Sequence, residues 1–214
     1  MIAALKKRLQ SPLPGMAVQY EMSIRPFPIE QWQALLANLP EHTRKAAVTI
    51  LLHQQKDGWY TYLMQRPIRG LIHSGEISLP GGGVEPQDEN LQATALREMQ
   101  EEFGIDINAV EYLGKLSPIY IPVSNSYVQP FVAYYNAENI HFQPDVHEVS
   151  EILPTPIAWL FEKERIKTTT INRANGLRLN NVPYFDMHNR VVWGATAMML
   201  YEFLHCIDQA WLEA

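Results

Sequence analysis

Cysteine and long apolar runs are both scarce in this chain. Among its 214 residues Cys206 is the one cysteine, which excludes an intrachain disulfide framework and fits a reducing cytoplasm. No run of about 18 apolar residues occurs, so we expect no transmembrane helix. The first ten residues contain Lys6-Lys7-Arg8 without an apolar segment behind it, which is not the pattern of a secretory signal. These absences predict a cytoplasmic protein without a membrane partner.

Basic residues are also in deficit. Lysine and arginine number 17 against 23 aspartates and glutamates, which gives a net charge of −6, and no basic cluster is larger than the one at residues 6–8. Binding to a nucleic-acid backbone needs a basic footprint, so nucleic acid is not an expected ligand. A small polyanionic substrate fits this charge if a metal ion offsets an acidic site. The length suits one domain with an ample core.

The segment from Gly83 to Ile105, GVEPQDENLQATALREMQEEFGI, is the most informative part of the chain. Residues 91–103 contain no glycine or proline, are rich in helix formers and place an apolar residue at every fourth position, so they predict a helix. Asp88, after a turn at Pro86, is the expected N-cap. Gly104 is the expected glycine after the last helical residue.

Three carboxylates crowd one face of this predicted helix. Glu98 and Glu102 are four residues apart, and Glu101 is three from Glu98, at roughly 100° of turn per residue. Like charges at this spacing destabilise a helix by about 0.2–0.5 kcal/mol per pair, so a hard divalent cation is the expected partner. A solvated acidic face is the alternative. The upstream run Leu79-Pro80-Gly81-Gly82-Gly83 lets backbone approach a ligand closely, so the loop and helix together predict a site for a metal-bound phosphate.

The spacing of the whole segment matches a known motif. It resembles the Nudix box at every fixed position: Gly83, Glu89, Arg97-Glu98, Glu101-Glu102, Gly104 and the apolar Ile105. Met99 fills a slot that more often holds isoleucine, leucine or valine. The resemblance implies an α/β fold, a Nudix-type α/β/α sandwich with a mixed sheet, and hydrolysis of a pyrophosphate bond with Mg²⁺ or Mn²⁺ as cofactor.

Helical geometry and the resemblance together suggest roles for the box residues. Glu98 and Glu102 are the first-choice metal ligands, and Glu101 is a third ligand or helps to deprotonate water. The resemblance implies that Arg97 pairs with Glu89 and braces the loop against the helix.

The general base stays open among the glutamates, because members of the superfamily differ in which one serves. Glu148, with Glu151 behind it, lies in a strand-like segment past the box, where the family often supplies a further acid. A plain surface acid is the alternative for Glu148.

Segments outside the box resemble the coenzyme A pyrophosphatase branch of the superfamily. The similarity covers about residues 45–207, and its clearest segments are Leu63-Met64-Gln65-Arg66, His73 to Gly82, Tyr120 to Asn125 and Val191 to Ala197. It implies that coenzyme A or an acyl derivative is split into 3′,5′-ADP and a 4′-phosphopantetheine.

Two sets of residues bear on the substrate. Arg66, His73, Gly82 and Gly83 are the expected substrate-binding residues, with a salt bridge for Arg66 and a structural hydrogen bond for His73 as alternatives. Trp193 is expected to pack in the core, with stacking on a base as the alternative. The chain departs from the branch at Leu71, where an arginine is frequent and Arg69 is nearby but shifted, and at Glu76 and Leu79, where glutamine and phenylalanine are frequent. These departures keep ADP-ribose, NADH and dinucleoside polyphosphates as alternative substrates.

A non-catalytic nucleotide-binding sensor on the same fold is the alternative from another class of protein. Such sensors usually lose one or more box acids, whereas every fixed box residue is present here and nothing resembles an attached DNA-binding or transmembrane domain. A hydrolase acting on a small nucleotide derivative is therefore the leading hypothesis. The oligomeric state stays open between a monomer and a homodimer.

The remaining patterns predict a helical extension at residues 1–42 and a Nudix hydrolase domain at 43–214. A glycine-containing turn at Asp57-Gly58 predicts a hairpin. The predicted helices, besides that of the box, are 1–12, 28–39, 157–163 and 196–212. The predicted strands are 46–52, 59–65, 112–117, 127–135, 147–156, 167–171 and 182–186.

Overall fold

A mixed eight-stranded sheet forms the centre of the molecule. The structure is a computed structural model that describes residues 2–24, 28–68, 75–173 and 176–207. Strand β1 is parallel to β7 and antiparallel to β2 and β4, and the predicted hairpin joins β1 to β2. The strands of this sheet are β1 (Arg44–Gln55), β2 (Gly58–Gln65), β3 (Ile77–Ser78), β4 (Gly81–Gly83), β5 (Val110–Lys115), β6 (Ile119–Ile121), β7 (Ser126–Tyr135) and β8 (Glu151–Pro156).

Five α-helices and a second sheet surround this centre within the described ranges. The second sheet has three strands in the order β11-β10-β9, namely β9 (Ile166–Asn172), β10 (Arg178–Met187) and β11 (Arg190–Trp193). The helices are α1 (Ile2–Leu9), α2 (Met16–Gln19), α3 (Ile29–Ala37), α4 (Leu91–Phe103) and α5 (Gly194–Leu204). In the part of the chain that is described, none of these helices has the length and apolar character needed to cross a membrane.

Strand β1 explains why the molecule is a sandwich. Successive side chains of a strand point to opposite faces, and both faces of β1 are apolar. Ile50 and Leu52 join the cluster that contains α1 and α5, whereas Leu51 joins the cluster of α4. Thr49, on the face of Leu51, donates its hydroxyl to the Ala95 carbonyl in α4. The predicted α/β/α sandwich with a mixed sheet is therefore confirmed.

The N-terminal helices pack on the sheet rather than standing apart from it. Leu5 and Leu9 of α1 and Trp32 of α3 are buried in the same apolar cluster as the sheet residues. A Cβ added to Gly114 of β5 would lie 2.7 Å from the Cβ of Leu9, so α1 approaches the sheet closely. The division of the chain at residue 42 stays a prediction.

Several predicted boundaries differ from the structure, and some short elements were not predicted. The N-cap of α4 is Asn90 rather than Asp88, because the Asn90 side chain accepts hydrogen bonds from the backbone N–H groups of Gln92 and Ala93. The closing helix ends at Leu204, where a turn follows, rather than reaching residue 212, and residues 208–212 lie outside the described part. Strand β8 begins at Glu151 rather than at 147. The short strands β3, β4, β6 and β11 and the short helix α2 were not predicted.

Candidate active site

The glycine strand β4 lies directly against the acidic face of α4. The backbone N–H of Gly81 donates to a carboxylate oxygen of Glu102 at 2.6 Å. A Cβ on Gly81 would lie 2.2 Å from the Ala47 carbonyl oxygen, and one on Gly82 would lie 2.5 Å from the Glu98 carboxylate. A side chain at Gly81 would therefore collide with the backbone of β1, and one at Gly82 would displace the Glu98 carboxylate. Glycine allows the contact that brings the loop to the carboxylates.

Three glutamates from two segments converge beside this strand. One carboxylate oxygen each from Glu98, Glu102 and Glu148 lies within 4.8 Å of the other two. Glu98 and Glu102 come from α4, whereas Glu148 comes from a turn whose backbone N–H groups bond to Asp145. The next residue, Val149, is buried in the cluster that holds the end of α4, and this anchors the turn. The expected ligands Glu98 and Glu102 are thus together, with Glu148 beside them.

Burial dominates the electrostatics of this cluster. Glu102 is almost fully buried, and burial raises its pKa to about 8, against the hydrogen bond from Gly81 and the positive charge of Arg66. The neighbouring negative charges of Glu98 and Glu148 raise the pKa of Glu102 further. Burial also raises the pKa of Glu98 above its ordinary value, partly offset by Arg97. Burial therefore favours the uncharged forms of these two acids, and a bound cation would favour their charged forms.

Arg97 braces the loop against the helix, but through a different acid from the predicted one. Its guanidinium donates to both carboxylate oxygens of Asp88, at 2.9 and 3.0 Å, and to the Gly83 carbonyl at 2.9 Å. The expected pair of Arg97 with Glu89 is absent from the described contacts, and Glu89 is exposed. Asp88 reaches Arg97 because the cap is Asn90, which leaves Asp88 in the loop. Arg97 holds the pKa of Asp88 well below its usual range.

Glu101 lies outside the three-glutamate cluster. Its carboxylate is half-exposed and accepts a hydrogen bond from Arg97 at 2.8 Å. Arg97 also lies 2.9 Å from Glu98, so its guanidinium borders the acids of the helix. Glu151, behind Glu148 in sequence, pairs with Arg190 at 2.6 Å. The role of Glu101 as ligand or base stays a prediction.

The cluster fits Mg²⁺ or Mn²⁺. Its donors are carboxylate oxygens, which these hard cations prefer. Oxygens that bind one ion at about 2.1 Å lie about 3–4 Å from each other, so a spacing within 4.8 Å needs only a small contraction. Glu98, Glu102 and Glu148 are the described side chains that can hold such an ion.

A cavity of about 570 Å³ opens beside the glycine strand. Arg66, Gly82 and Gly83, three of the expected substrate-binding residues, line it, as do Glu76 and Leu79, where the sequence departs from the coenzyme A branch. His73, Arg69 and Leu71 lie outside the described residues. The segments from Tyr120 to Ser124 and from Trp193 to Thr196 also line the cavity, so parts of the chain that resemble that branch meet here.

Sequence reasoning missed three cations of the cavity wall, namely Arg44, Lys45 and Arg173. Arg44 and Lys45 begin β1, and Arg173 follows β9. These residues belong to no recognisable sequence motif. They meet at the cavity because separate strands pack together, which the sequence does not indicate.

Comparison with known proteins places the chain in a family. The NUDIX domain profile matches residues 43–169, more than half of the chain. The chain belongs to the Nudix family. Proteins called "Uncharacterized Nudix hydrolase NudL" from Yersinia pestis and Yersinia pseudotuberculosis are 33% identical over 129 residues. That match spans 60% of this Nudix chain and 62% of each relative.

Solved structures with related folds are more distant. An Ap4A hydrolase of C. elegans is 17% identical at a TM-score of 0.43, over 53% of this chain and 80% of that one. The Nudix domain of Shewanella oneidensis NrtR, crystallised with ADP ribose, is 21% identical at a TM-score of 0.43, over 61% of this chain and 86% of that one. Likeness at this level gives no information on the substrate of the present Nudix protein.

Proposed function

We propose that this protein hydrolyses a pyrophosphate bond in a nucleoside diphosphate derivative, with coenzyme A or an acyl-coenzyme A as substrate. The products would be 3′,5′-ADP and 4′-phosphopantetheine or its acyl derivative. The observation that carries the proposal is the convergence of Glu98, Glu102 and Glu148 beside a glycine strand at the edge of a cavity. A divalent ion bound there would neutralise phosphate charge and lower the pKa of water.

The protein side chains divide the remaining work. Glu98 and Glu102 hold the cation, with Glu148 completing the carboxylate set. Arg97 keeps the loop on the helix through Asp88 and Gly83, so that the Gly82 and Gly83 backbone borders the diphosphate. Arg66 lines the same cavity, where its guanidinium would bind a phosphate oxygen. Glu101, held by Arg97 at the edge of the cluster, is the candidate for removing a proton from water, with Glu148 as the other candidate.

The charge of the cavity wall supports coenzyme A among the possible substrates. Arg44, Lys45, Arg66 and Arg173 line the cavity, although the whole chain carries a net charge of −6. A local excess of cations favours a ligand with more than two negative charges. Coenzyme A carries a third phosphate in addition to its diphosphate.

The buried free thiol of Cys206 accords with the reducing cytoplasm, where we place the protein.

Hydrolysis of a substrate panel tests the proposal. Coenzyme A, dephospho-coenzyme A, ADP-ribose, NADH and diadenosine tetraphosphate would be incubated with Mg²⁺ and then Mn²⁺, and the products separated by chromatography. Preferential release of 3′,5′-ADP from coenzyme A is the expected result. Preference for ADP-ribose, NADH or the dinucleotide would contradict coenzyme A as substrate while leaving pyrophosphate hydrolysis in place. No turnover of any compound would contradict both.

A further inference from the structure

Arg173 and Trp193 form a pair on the cavity wall that comes from the second sheet. Arg173 follows the last residue of β9, and Trp193 ends β11. The guanidinium carbon of Arg173 lies 5.3 Å from the centre of the Trp193 ring, within the range of a cation–π contact. The backbone of Arg173 is also hydrogen-bonded, since its N–H donates to the Leu177 carbonyl and its carbonyl accepts from the Gly176 N–H, both at 2.9 Å. These contacts position both the backbone and the side chain of Arg173 on the cavity wall.

The guanidinium of Arg173 has a hydrogen-bond donor that is not paired within the described part of the protein. Its Nε is buried without a hydrogen-bond partner, and no carboxylate in the described ranges forms an ion pair with it. Arg44 and Arg66 differ from it, because Arg44 donates to the Ser124 carbonyl at 3.0 Å and the positive charge of Arg66 lowers the pKa of Glu102. A buried guanidinium N–H without a partner is unfavourable unless a ligand supplies an acceptor. The unpaired Nε–H of Arg173 therefore indicates that a bound ligand supplies its hydrogen-bond acceptor.

The cavity contains further unused donors and little negative charge. The hydroxyls of Ser78 and Ser124 line it, and each is buried without a partner among the described residues. Glu76 is the one acid among the described lining residues, against four cations. A pocket of this size is typical for a small ligand. The ligand chemistry that fits these donors is an anion with several acceptor oxygens, and a phosphate has both properties.

Arg173 and the carboxylate cluster belong to different parts of the fold. The carboxylate cluster and the glycine strand belong to α4, β4 and the turn before β8, whereas Arg173 belongs to the second sheet. A substrate whose diphosphate borders the cluster would meet Arg173 with a different part of its structure. Among the proposed substrates, coenzyme A has such a group in its 3′-phosphate.

We propose that Arg173, positioned by Trp193, binds a phosphate monoester that the substrate carries outside the cleaved diphosphate. The inference rests on the proposed function and names the residue that distinguishes coenzyme A from dephospho-coenzyme A. The planar guanidinium binds phosphate through two parallel hydrogen bonds, and the ring of Trp193 fixes its plane. Trp193 is a positioning residue that acts through Arg173.

Steady-state kinetics of Arg173→Ala test the inference. A lost charge-assisted hydrogen bond of about 1.5–3 kcal/mol corresponds to roughly a ten- to hundredfold change, so the KM for coenzyme A is expected to rise by that factor. The KM for dephospho-coenzyme A and the kcat for both substrates are expected to stay within about twofold. Trp193→Ala should raise the KM for coenzyme A by less than Arg173→Ala does, and Trp193→Phe should restore most of the affinity.

Two further variants keep the result interpretable. Arg178→Ala is the matched control, because Arg178 is an exposed arginine at the start of β10 in the same hairpin and does not line the cavity. It is expected to leave both KM values unchanged. Arg173→Lys keeps the charge but loses the paired hydrogen bonds, so it should fall between wild type and Arg173→Ala. Equal losses for both substrates in Arg173→Ala, or no loss for either, would overturn the inference.

A binding measurement separates this inference from the proposed function. Adenosine 3′,5′-bisphosphate should raise the melting temperature of the wild-type protein more than AMP does, and Arg173→Ala should abolish that difference. If coenzyme A is not hydrolysed but this difference is present and depends on Arg173, the proposed function fails and the phosphate site stands. If coenzyme A is hydrolysed and Arg173→Ala discriminates as wild type does, the phosphate site fails alone.

Discussion

At the scale of single residues, neighbouring glycines of β4 meet very different surroundings. A Cβ on Gly82 would collide with the carboxylate of Glu98, whereas a Cβ on Gly83 would meet open space. Neither residue has the positive φ that would itself disfavour alanine. Alanine at Gly82 therefore tests the space needed beside the Glu98 carboxylate, whereas alanine at Gly83 tests only the effect of a side chain on the strand.

Gly82→Ala should weaken metal binding and leave the fold intact. The new methyl group must displace the flexible carboxylate of Glu98, which is an expected ligand, rather than any backbone atom. We expect Mn²⁺ affinity to fall by about tenfold or more, with the melting temperature nearly unchanged. Titration with Mn²⁺ followed by electron paramagnetic resonance measures the affinity. Gly83→Ala is the control, and a similar loss of affinity in that variant would contradict the steric explanation.

The adjacent acids Asp88 and Glu89 allow a test of the observed Arg97 contact by pH. The folded pKa of Asp88 lies below its ordinary value, so its stabilising effect is present above about pH 4 and is lost as pH falls through and below that range. Asp88→Asn should lower the free energy of unfolding at pH 7 and reduce its fall on acidification. Glu89→Gln should follow wild type at each pH.

Urea unfolding of the three proteins at pH 7, 5 and 3.5 measures this difference. The result that would contradict the contact is a larger effect of Glu89→Gln than of Asp88→Asn, because that is the outcome expected from an Arg97–Glu89 pair.

At the scale of elements, the sequence predicts what is determined locally. The bounds of α4 follow from helix propensity, an apolar stripe and a terminal glycine, and the prediction of Leu91–Phe103 is confirmed. The Asn90 cap was missed because Asp88 and Asn90 are both good caps, and the choice depends on Arg97 nine residues beyond Asp88. The bend before β8 was missed for a similar reason, since it depends on Val149 packing against the cluster of α4. Contacts between distant segments carry no local signal.

The turn before β8 gives a prediction at this scale. Glu148→Gln should reduce Mn²⁺ affinity by at least about tenfold, because it removes one carboxylate of the cluster. Glu151→Gln should leave the affinity unchanged, since Glu151 pairs with Arg190 instead. Calorimetric Mn²⁺ titration of the two variants, with turnover measured alongside, is the check. A wild-type affinity in Glu148→Gln would remove this residue from the metal centre.

At the scale of the whole molecule, Glu202 joins three distant parts of the chain. This buried carboxylate in α5 accepts hydrogen bonds from the Gly15 N–H at 3.0 Å, the Gln19 side chain at 2.7 Å and the Ser117 N–H at 3.1 Å. The N-terminal helices, the segment between β5 and β6 and the closing helix therefore meet at one side chain. The extension also supplies Ser23, Ile24 and Trp32 to the cavity wall.

Glu202→Gln should destabilise the whole molecule. The amide N–H₂ of the new glutamine would face N–H donors that now bond to the carboxylate, so at least one of those hydrogen bonds would be lost. The expected cost is about 2–3 kcal/mol in the free energy of unfolding. A drop in melting temperature of roughly 5–10 °C is expected for a chain of this length. Calorimetry measures it, with Glu111→Gln as the control, since the pair of Glu111 with Lys6 is half-exposed and should contribute little. Equal decreases in melting temperature for the two variants would show that the buried hydrogen bonds of Glu202 stabilise the protein no more than the half-exposed Glu111 pair does.

The parallel pairing of β1 with β7 also has a consequence for how the protein is made. The paired residues, from Arg44 with Ser126 to Leu52 with Tyr134, lie roughly 80 positions apart in the chain. Contacts at such separation slow folding, because a long loop must close before they form. On the ribosome, β1 and the glutamates of α4 are synthesised well before β7 exists. The sheet therefore gains its central partner, and the glutamate cluster its third carboxylate, only after β1 and α4 have been synthesised.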